Sequence, residues 1–160
     1  MRVLTVLGST GSIGTNTLDV VRQNPDRFRV FALAAGRNID LLSQQIHEFR
    51  PEVVVVQEAS DIPALRAKVS ESGISCPELL SGPEALVRIS AAGEVDTVMS
   101  SIVGVAGLEA THAAVCRSKR VGLANKEVLV SGGKLVMEAV RRHNCEMIPV
   151  DSEHNGAHQC

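Results

Sequence analysis

The stretch Gly8-Ser9-Thr10-Gly11-Ser12-Ile13-Gly14 constrains this chain more than any other, because it stands directly behind the apolar run Val3-Leu4-Thr5-Val6-Leu7 and directly ahead of a helical pattern. Glycines at this spacing let a chain reverse tightly after a strand, bring backbone N–H groups close to a ligand, and let the following helix pack near the sheet. The helix N-terminus beyond them offers unpaired donors and partial positive charge, which together suit an anion. Ile13, Leu18 and Val21 place apolar groups on one side of that helix. Gly/Ser turns elsewhere often only change the direction of the chain, so it is the strand before and the helix after that give the motif its meaning. It reads as a phosphate-cradling turn suited to the pyrophosphate of a dinucleotide.

The remainder alternates strand and helix. Residues 12–23 form a helical pattern ended by Asn24-Pro25, since proline lacks a donor and disfavours helix in the residue before it. Phe28 to Ala35 reads as a strand, 40–49 as an amphipathic helix stopped by Pro51, and Val53 to Val56 as a fully buried strand. Further helices are predicted over 61–72, 83–91, 108–117 and 132–143, with strands at Leu79-Leu80, Thr97 to Ser101, Val121 to Ala124 and Met147 to Val150. This is the order of an α/β fold, a doubly wound, Rossmann-like parallel sheet. At 160 residues one full domain is expected. With 44% hydrophobic and 2% aromatic residues, its core is built of Val, Leu, Ile and Ala.

A formal net charge of −2 gives no electrostatic reason to expect nucleic acid or an anionic membrane as partner. No apolar run approaches the ~20 residues that span a bilayer. Cys76, Cys116, Cys145 and Cys160 are widely spaced, with no Cys-x-x-Cys pair, and read as reduced thiols. With the first strand starting at residue 2, a cytoplasmic chain is expected.

Candidate site residues cluster where strands end. In NAD-preferring folds a carboxylate about 20 residues past the glycine turn binds the ribose 2′-OH, whereas a nearby Arg accommodates a 2′-phosphate. Here that neighbourhood reads Ala34-Ala35-Gly36-Arg37-Asn38, so Arg37 favours NADP over NAD. Ser100 to Leu108 is a second small-residue loop at a strand's carboxyl end. Asn125-Lys126-Glu127 follows another, with Lys126 read as a phosphate or carbonyl contact and Glu127 also able simply to open the next helix. At Asp151-Ser152-Glu153-His154, an extended chain projects both carboxylates to one side, which suits Mg²⁺ or Mn²⁺; two solvated acids are the plainer alternative. His154, His158 and Cys160 raise zinc as another possibility, which an Asn155-Gly156 turn argues against.

Together, Gly8 to Gly14, Ala35-Gly36-Arg37-Asn38, Ile102-Val103-Gly104 with Gly107-Leu108, Leu123-Ala124-Asn125-Lys126-Glu127 and Pro149-Val150-Asp151-Ser152-Glu153-His154 resemble the 1-deoxy-D-xylulose 5-phosphate reductoisomerase family. The resemblance runs over essentially the whole chain but covers only the amino-terminal part of that family's longer sequence. It implies an NADPH-dependent enzyme that rearranges 1-deoxy-D-xylulose 5-phosphate, a phosphorylated sugar, and reduces the product to 2-C-methyl-D-erythritol 4-phosphate for isoprenoid synthesis. By motif position, Thr10, Gly11, Ser12 and Ile13 would contact the pyrophosphate and Gly36, Arg37 and Asn38 the adenosine end. Asn125 and Glu127 would touch NADPH. Lys126 and Glu153 would act at the reacting centre, Ser152 would contact substrate, and Asp151 and Glu153 would ligate Mn²⁺ or Mg²⁺. Residues 1–150 would be the NADPH-binding domain and 151–160 the start of the catalytic one.

After His154 the family continues differently, and its third metal carboxylate, active-site loop and carboxyl-terminal helices lie further on. The resemblance therefore implies that these residues alone are inactive, and that the full-length family protein is a homodimer. Two rivals stand beside it: a non-catalytic NADP-binding module, and another NADP-linked reductase such as a semialdehyde dehydrogenase, which would need a catalytic cysteine after a central strand.

Overall fold

The computed structural model describes residues 1–71 and 73–150. β1 (Arg2–Leu7) leads through the glycine turn into α1 (Ser12–Gln23), followed by β2 (Phe28–Ala35), α2 (Ile39–Phe49) and β3 (Val53–Val56). A 3₁₀ turn (Ala59–Asp61) opens α3 (Ile62–Glu71), and β4 (Glu78–Ser81), α4 (Pro83–Ala91) and β5 (Thr97–Ser100) follow. A second 3₁₀ turn (Gly104–Gly107) runs into α5 (Leu108–Cys116), and the described chain closes with β6 (Arg120–Leu123), α6 (Lys126–His143) and β7 (Met147–Pro149).

The strands form one parallel sheet in the order β4-β3-β2-β1-β5-β6-β7. The chain builds outward from β1 to β4, then returns through α4 to start again at β5 on β1's other side. The strand order therefore reverses between β1 and β5, and open parallel sheets bind ligands outside the carboxyl ends at such a reversal.

Both faces are covered, as an all-parallel sheet requires. One layer packs Leu18 and Val21 of α1, Leu42 and Ile46 of α2 and Leu65 and Val69 of α3 against Leu4, Val6, Leu33 and Val54. The other packs Ile89 of α4, Ala114 and Val115 of α5 and Val136 of α6 against Leu7, Val98 and Val121. Each fully buried Leu, Ile or Val contributes about 1.5–3 kcal/mol. A register shift lets Leu4 pair with Val30 and Thr5 with Ala32, leaving Phe31 as an extra residue in β2. Phe31 and Ala32 consequently join the same layer, against strand alternation.

Most predicted elements appear within a residue or two of their expected bounds. The largest correction is at α6. The helix predicted over 132–143 begins at Lys126, and it is broken in the middle, where Gly132 has φ −131° and ψ 15°. Gly132-Gly133 hides the helical period, because glycine is the poorest helix former after proline. The start comes from Asn125, whose Oδ1 accepts the Glu127 N–H at 2.9 Å. Lys126 and Glu127 are thus the first turn of a helix, the opening role the sequence allowed Glu127. Among the described residues, no helix is long and apolar enough to cross a membrane.

Candidate functional site

Because the strands are parallel, every carboxyl end lies on one edge of the sheet. Gly8, Gly36, Gln57, Gly82 and Ile102, each just beyond a strand, line a crevice of about 470 Å³ there, together with Ala34, Pro83 and Ala106. The turn from β1 is held tightly beneath it. Gly8 and Ser9 both donate to the Ala34 carbonyl, at 2.8 and 2.9 Å, and Gly11 donates to Gly8 O at 3.1 Å.

Gly8 has φ +86°, and a Cβ there would stand 2.7 Å from the Ser101 carbonyl oxygen. A Cβ on Gly14 would meet Gly8 O at 2.2 Å and Ser9 Cα at 2.6 Å. These two glycines let the turn, α1 and the loop after β5 touch backbone to backbone. Gly11 differs. It is exposed, with φ −80° and ψ 171°, and caps α1 without a side chain. Thr15 makes the first helical bond, to Gly11 O at 2.9 Å. The amides of Ser12, Ile13 and Gly14 therefore precede the helical ladder at the positive end of α1. This is an anion seat built from backbone, and it fits a diphosphate. The Ile13 side chain lies elsewhere, in a groove beside Asn16, Thr17 and Met99, so only its amide can serve the seat.

Arg37 follows Gly36 of the crevice in the chain and is exposed, and no ion pair among the described residues engages it. Asn38 caps α2, its Oδ1 accepting from Leu41 N at 3.1 Å. The surface pairs Arg22–Glu48, Arg88–Glu78 and Arg120–Glu146 lie away from this edge and take up cations elsewhere. Among the described residues, nothing pairs with Arg37, and its guanidinium can take an anion.

On the far side of β5, Ser101, Ile102, Val103, Ala124, Asn125, Lys126 and Glu127 enclose a second cavity of about 220 Å³. Asn125 is 3% exposed and fully committed. Besides capping α6, its Nδ2 donates to Ile102 O, and to Gly104 O at 2.6 Å, tying the loop after β5 to the start of α6. Asn125→Ala removes a cap and leaves two carbonyls short of a donor. We expect a loss of about 2 kcal/mol, lowering the melting temperature by about 4–8 °C in a circular-dichroism melt. Lys126 is exposed at the cavity and Glu127 half-buried beside it.

Asp151, Ser152, Glu153, His154, His158 and Cys160 lie outside the described residues, which contain no group of three or more His, Cys, Asp or Glu able to hold a metal. β7 does bring the chain, at Val150, to the carboxyl edge next to β6. Cys116 and Cys145 do not favour the semialdehyde-dehydrogenase alternative. Cys145 is buried and donates to Lys119 O at 2.8 Å, and burial, aided by Glu146, pushes its thiol above the ordinary range. Cys116 sits against His112 on α5. Neither lines either cavity.

Gln57, Gly82 and Pro83 of the crevice went unrecognised in the sequence. So did Gln45, whose signal was legible: a polar residue on the stripe Leu42-Gln45-Ile46-Phe49 of an otherwise apolar helix face.

A sequence model of 1-deoxy-D-xylulose 5-phosphate reductoisomerase matches residues 4–133. The protein of that name from Solibacter usitatus (strain Ellin6076) is 62% identical over 163 residues, covering 100% of this chain and 41% of that protein. A crystal structure of DOX-P reductoisomerase in complex with NADPH, fosmidomycin and magnesium superimposes with a TM-score of 0.93 at 41% identity, covering 100% of this chain and 39% of that one. The Zymomonas mobilis enzyme in complex with NADPH gives 0.92 at 43% identity, covering 99% of this chain and 41% of that one. The chain thus spans about two fifths of the length of such relatives.

Proposed function

The chain belongs to the 1-deoxy-D-xylulose 5-phosphate reductoisomerase family, and from that premise we propose that residues 1–150 are the NADPH-binding domain of such an enzyme and residues 151–160 the beginning of its catalytic part. The observation that carries this reading is the seat at the β1–β5 reversal. There the amides of Ser12, Ile13 and Gly14 precede the helical ladder of α1, Gly8 and Gly36 line the crevice, and Arg37, which no ion pair engages among the described residues, follows Gly36 in the chain. In it, Thr10, Gly11, Ser12 and Ile13 hold the diphosphate, and Gly36, Arg37 and Asn38 hold the adenosine end with its 2′-phosphate. Asn125 and Glu127 border the nicotinamide end, Asn125 by shaping the loop rather than by a free side chain. NADPH, when bound, supplies the hydride; the protein places it.

Lys126 and Glu153 act at the reacting centre, Ser152 and Glu153 contact the sugar phosphate, and Asp151 and Glu153 hold Mg²⁺ or Mn²⁺. Two carboxylates suit a hard cation, and Asp151 follows directly on a residue at the carboxyl edge of the sheet. The whole enzyme converts 1-deoxy-D-xylulose 5-phosphate to 2-C-methyl-D-erythritol 4-phosphate in isoprenoid synthesis, as a cytoplasmic homodimer. These 160 residues by themselves bind NADPH without turnover, since two carboxylates make only part of a metal shell.

A fluorescence titration of the chain tests both halves of the reading. NADPH should bind at least tenfold more tightly than NADH. Equal affinities would remove the 2′-phosphate assignment, and no binding of either would remove the dinucleotide site. With 1-deoxy-D-xylulose 5-phosphate and Mg²⁺ added, NADPH absorbance should stay constant; its decay would overturn the claim of inactivity.

A further inference from the structure

Of the buried residues of α2, namely Leu42, Gln45 and Ile46, Gln45 alone is polar. It is 5% exposed, and its Nε2 donates to the Ser9 carbonyl at 2.8 Å. The reverse amide orientation would set two acceptor oxygens against each other, so the nitrogen must face Ser9. The Gln45 Oε1 has no hydrogen-bond partner among the described residues, so the bond to Ser9 is what this amide contributes.

That bond controls more than a carbonyl. Ser9 is fully buried, its N–H held by Ala34 O at 2.9 Å and its C=O by Gln45. No peptide bond among the described residues is cis. In a trans peptide the N–H points opposite to the C=O, so drawing the Ser9 oxygen inward turns the Thr10 N–H outward. Burial follows the same direction, from buried Ser9 through half-buried Thr10 to exposed Gly11 and Ser12. No hydrogen bond among the described residues uses the Thr10 N–H.

We propose that Gln45 is a positioning residue for the cofactor's diphosphate. From beneath the glycine turn it locks the Ser9–Thr10 peptide so that the Thr10 amide joins the open amides of α1 as a donor to phosphate. Gln45 does not touch the ligand. The inference rests on the dinucleotide reading above and adds to it a residue on a different helix.

Gln45→Met keeps the length of the side chain and removes the donor. It should weaken NADPH about tenfold while changing the affinity for adenosine 2′-monophosphate, which has the 2′-phosphate but no diphosphate, less than twofold. Retained NADPH affinity, or an equal loss for both ligands, would overturn the positioning role, the latter because Gln45 would then only hold the fold. The unsubstituted chain gives a second measurement: in a ¹H–¹⁵N spectrum the Thr10 amide should shift on saturation with NADPH. If Gln45→Met does not fold, that resonance decides, and an unmoved Thr10 amide overturns the proposal. A chain that binds no NADPH at all would instead sink the dinucleotide reading, and this inference with it.

Discussion

Gly14→Ala is expected to destabilise the chain by about 3 kcal/mol or more and to abolish NADPH binding. Helix propensity alone predicts the opposite sign, since Ala gains about 0.5–1 kcal/mol over Gly inside a helix. Sterics decide the outcome. The new Cβ would lie 2.2 Å from Gly8 O, 2.6 Å from Ser9 Cα and 2.7 Å from Ser9 C. All three are backbone atoms, so no side-chain rotation relieves the contact, and either α1 or the turn must move. Moving the turn disturbs the bonds from Gly8 and Ser9 to Ala34 that fix it to β2. The melting temperature should fall by about 6–12 °C.

Gly11→Ala is the informative control. Its Cβ would meet nothing nearer than Gly8 O at 3.4 Å, and its φ of −80° suits any residue. That variant should melt close to the parent yet bind NADPH more weakly, because the methyl group sits at the mouth of the seat. A Gly14→Ala chain that melts with the parent would show that the turn is not packed as described.

Arg37→Ala should weaken NADPH by about 10–100-fold and leave NADH within about twofold. A hydrogen bond to a charged partner is worth about 1.5–3 kcal/mol, and NADH lacks the phosphate that would receive it. Arg37 is exposed and unpaired among the described residues, so its removal should not alter the melting temperature. Arg37→Lys should fall between, keeping the charge but losing the planar fork. Added salt should narrow the gap between NADPH and NADH, as it does for any exposed ion contact. Fluorescence titrations with both dinucleotides measure all of this. An equal loss for NADPH and NADH would place Arg37 in the loop's structure rather than at the 2′-phosphate.

The sequence by itself determined most of the elements, the class of fold and the place of the glycine turn between strand and helix. Burial repeats at short intervals along a chain, so Val53 to Val56 reads as a wholly buried strand and all four residues are buried. Leu18 with Val21 and Leu42 with Ile46 likewise announce the inner faces of α1 and α2. Proline and glycine mark the ends of helices for equally local reasons. The glycine turn was legible because its requirements, a strand before and a helix after, lie within a few residues of it.

Only the tertiary structure decided which distant groups meet. Nothing periodic encodes the order β4-β3-β2-β1-β5-β6-β7, and that order sets Gly8 against Ser101 and puts Gln57 and Gly82 in the same crevice as Gly36. The extra residue in β2 depends on the pairing of β1 with β2, so strand alternation could not reveal that Phe31 and Ala32 share a layer. That Asn125 also fastens the loop after β5 to the start of α6 could not be read locally, because its partners, Ile102 and Gly104, come from the loop after a neighbouring strand. Gln45 reaches Ser9 across 36 positions of sequence. A hydrogen bond of that span exists only once the sheet has brought α2 beneath the turn, and no local pattern can contain it.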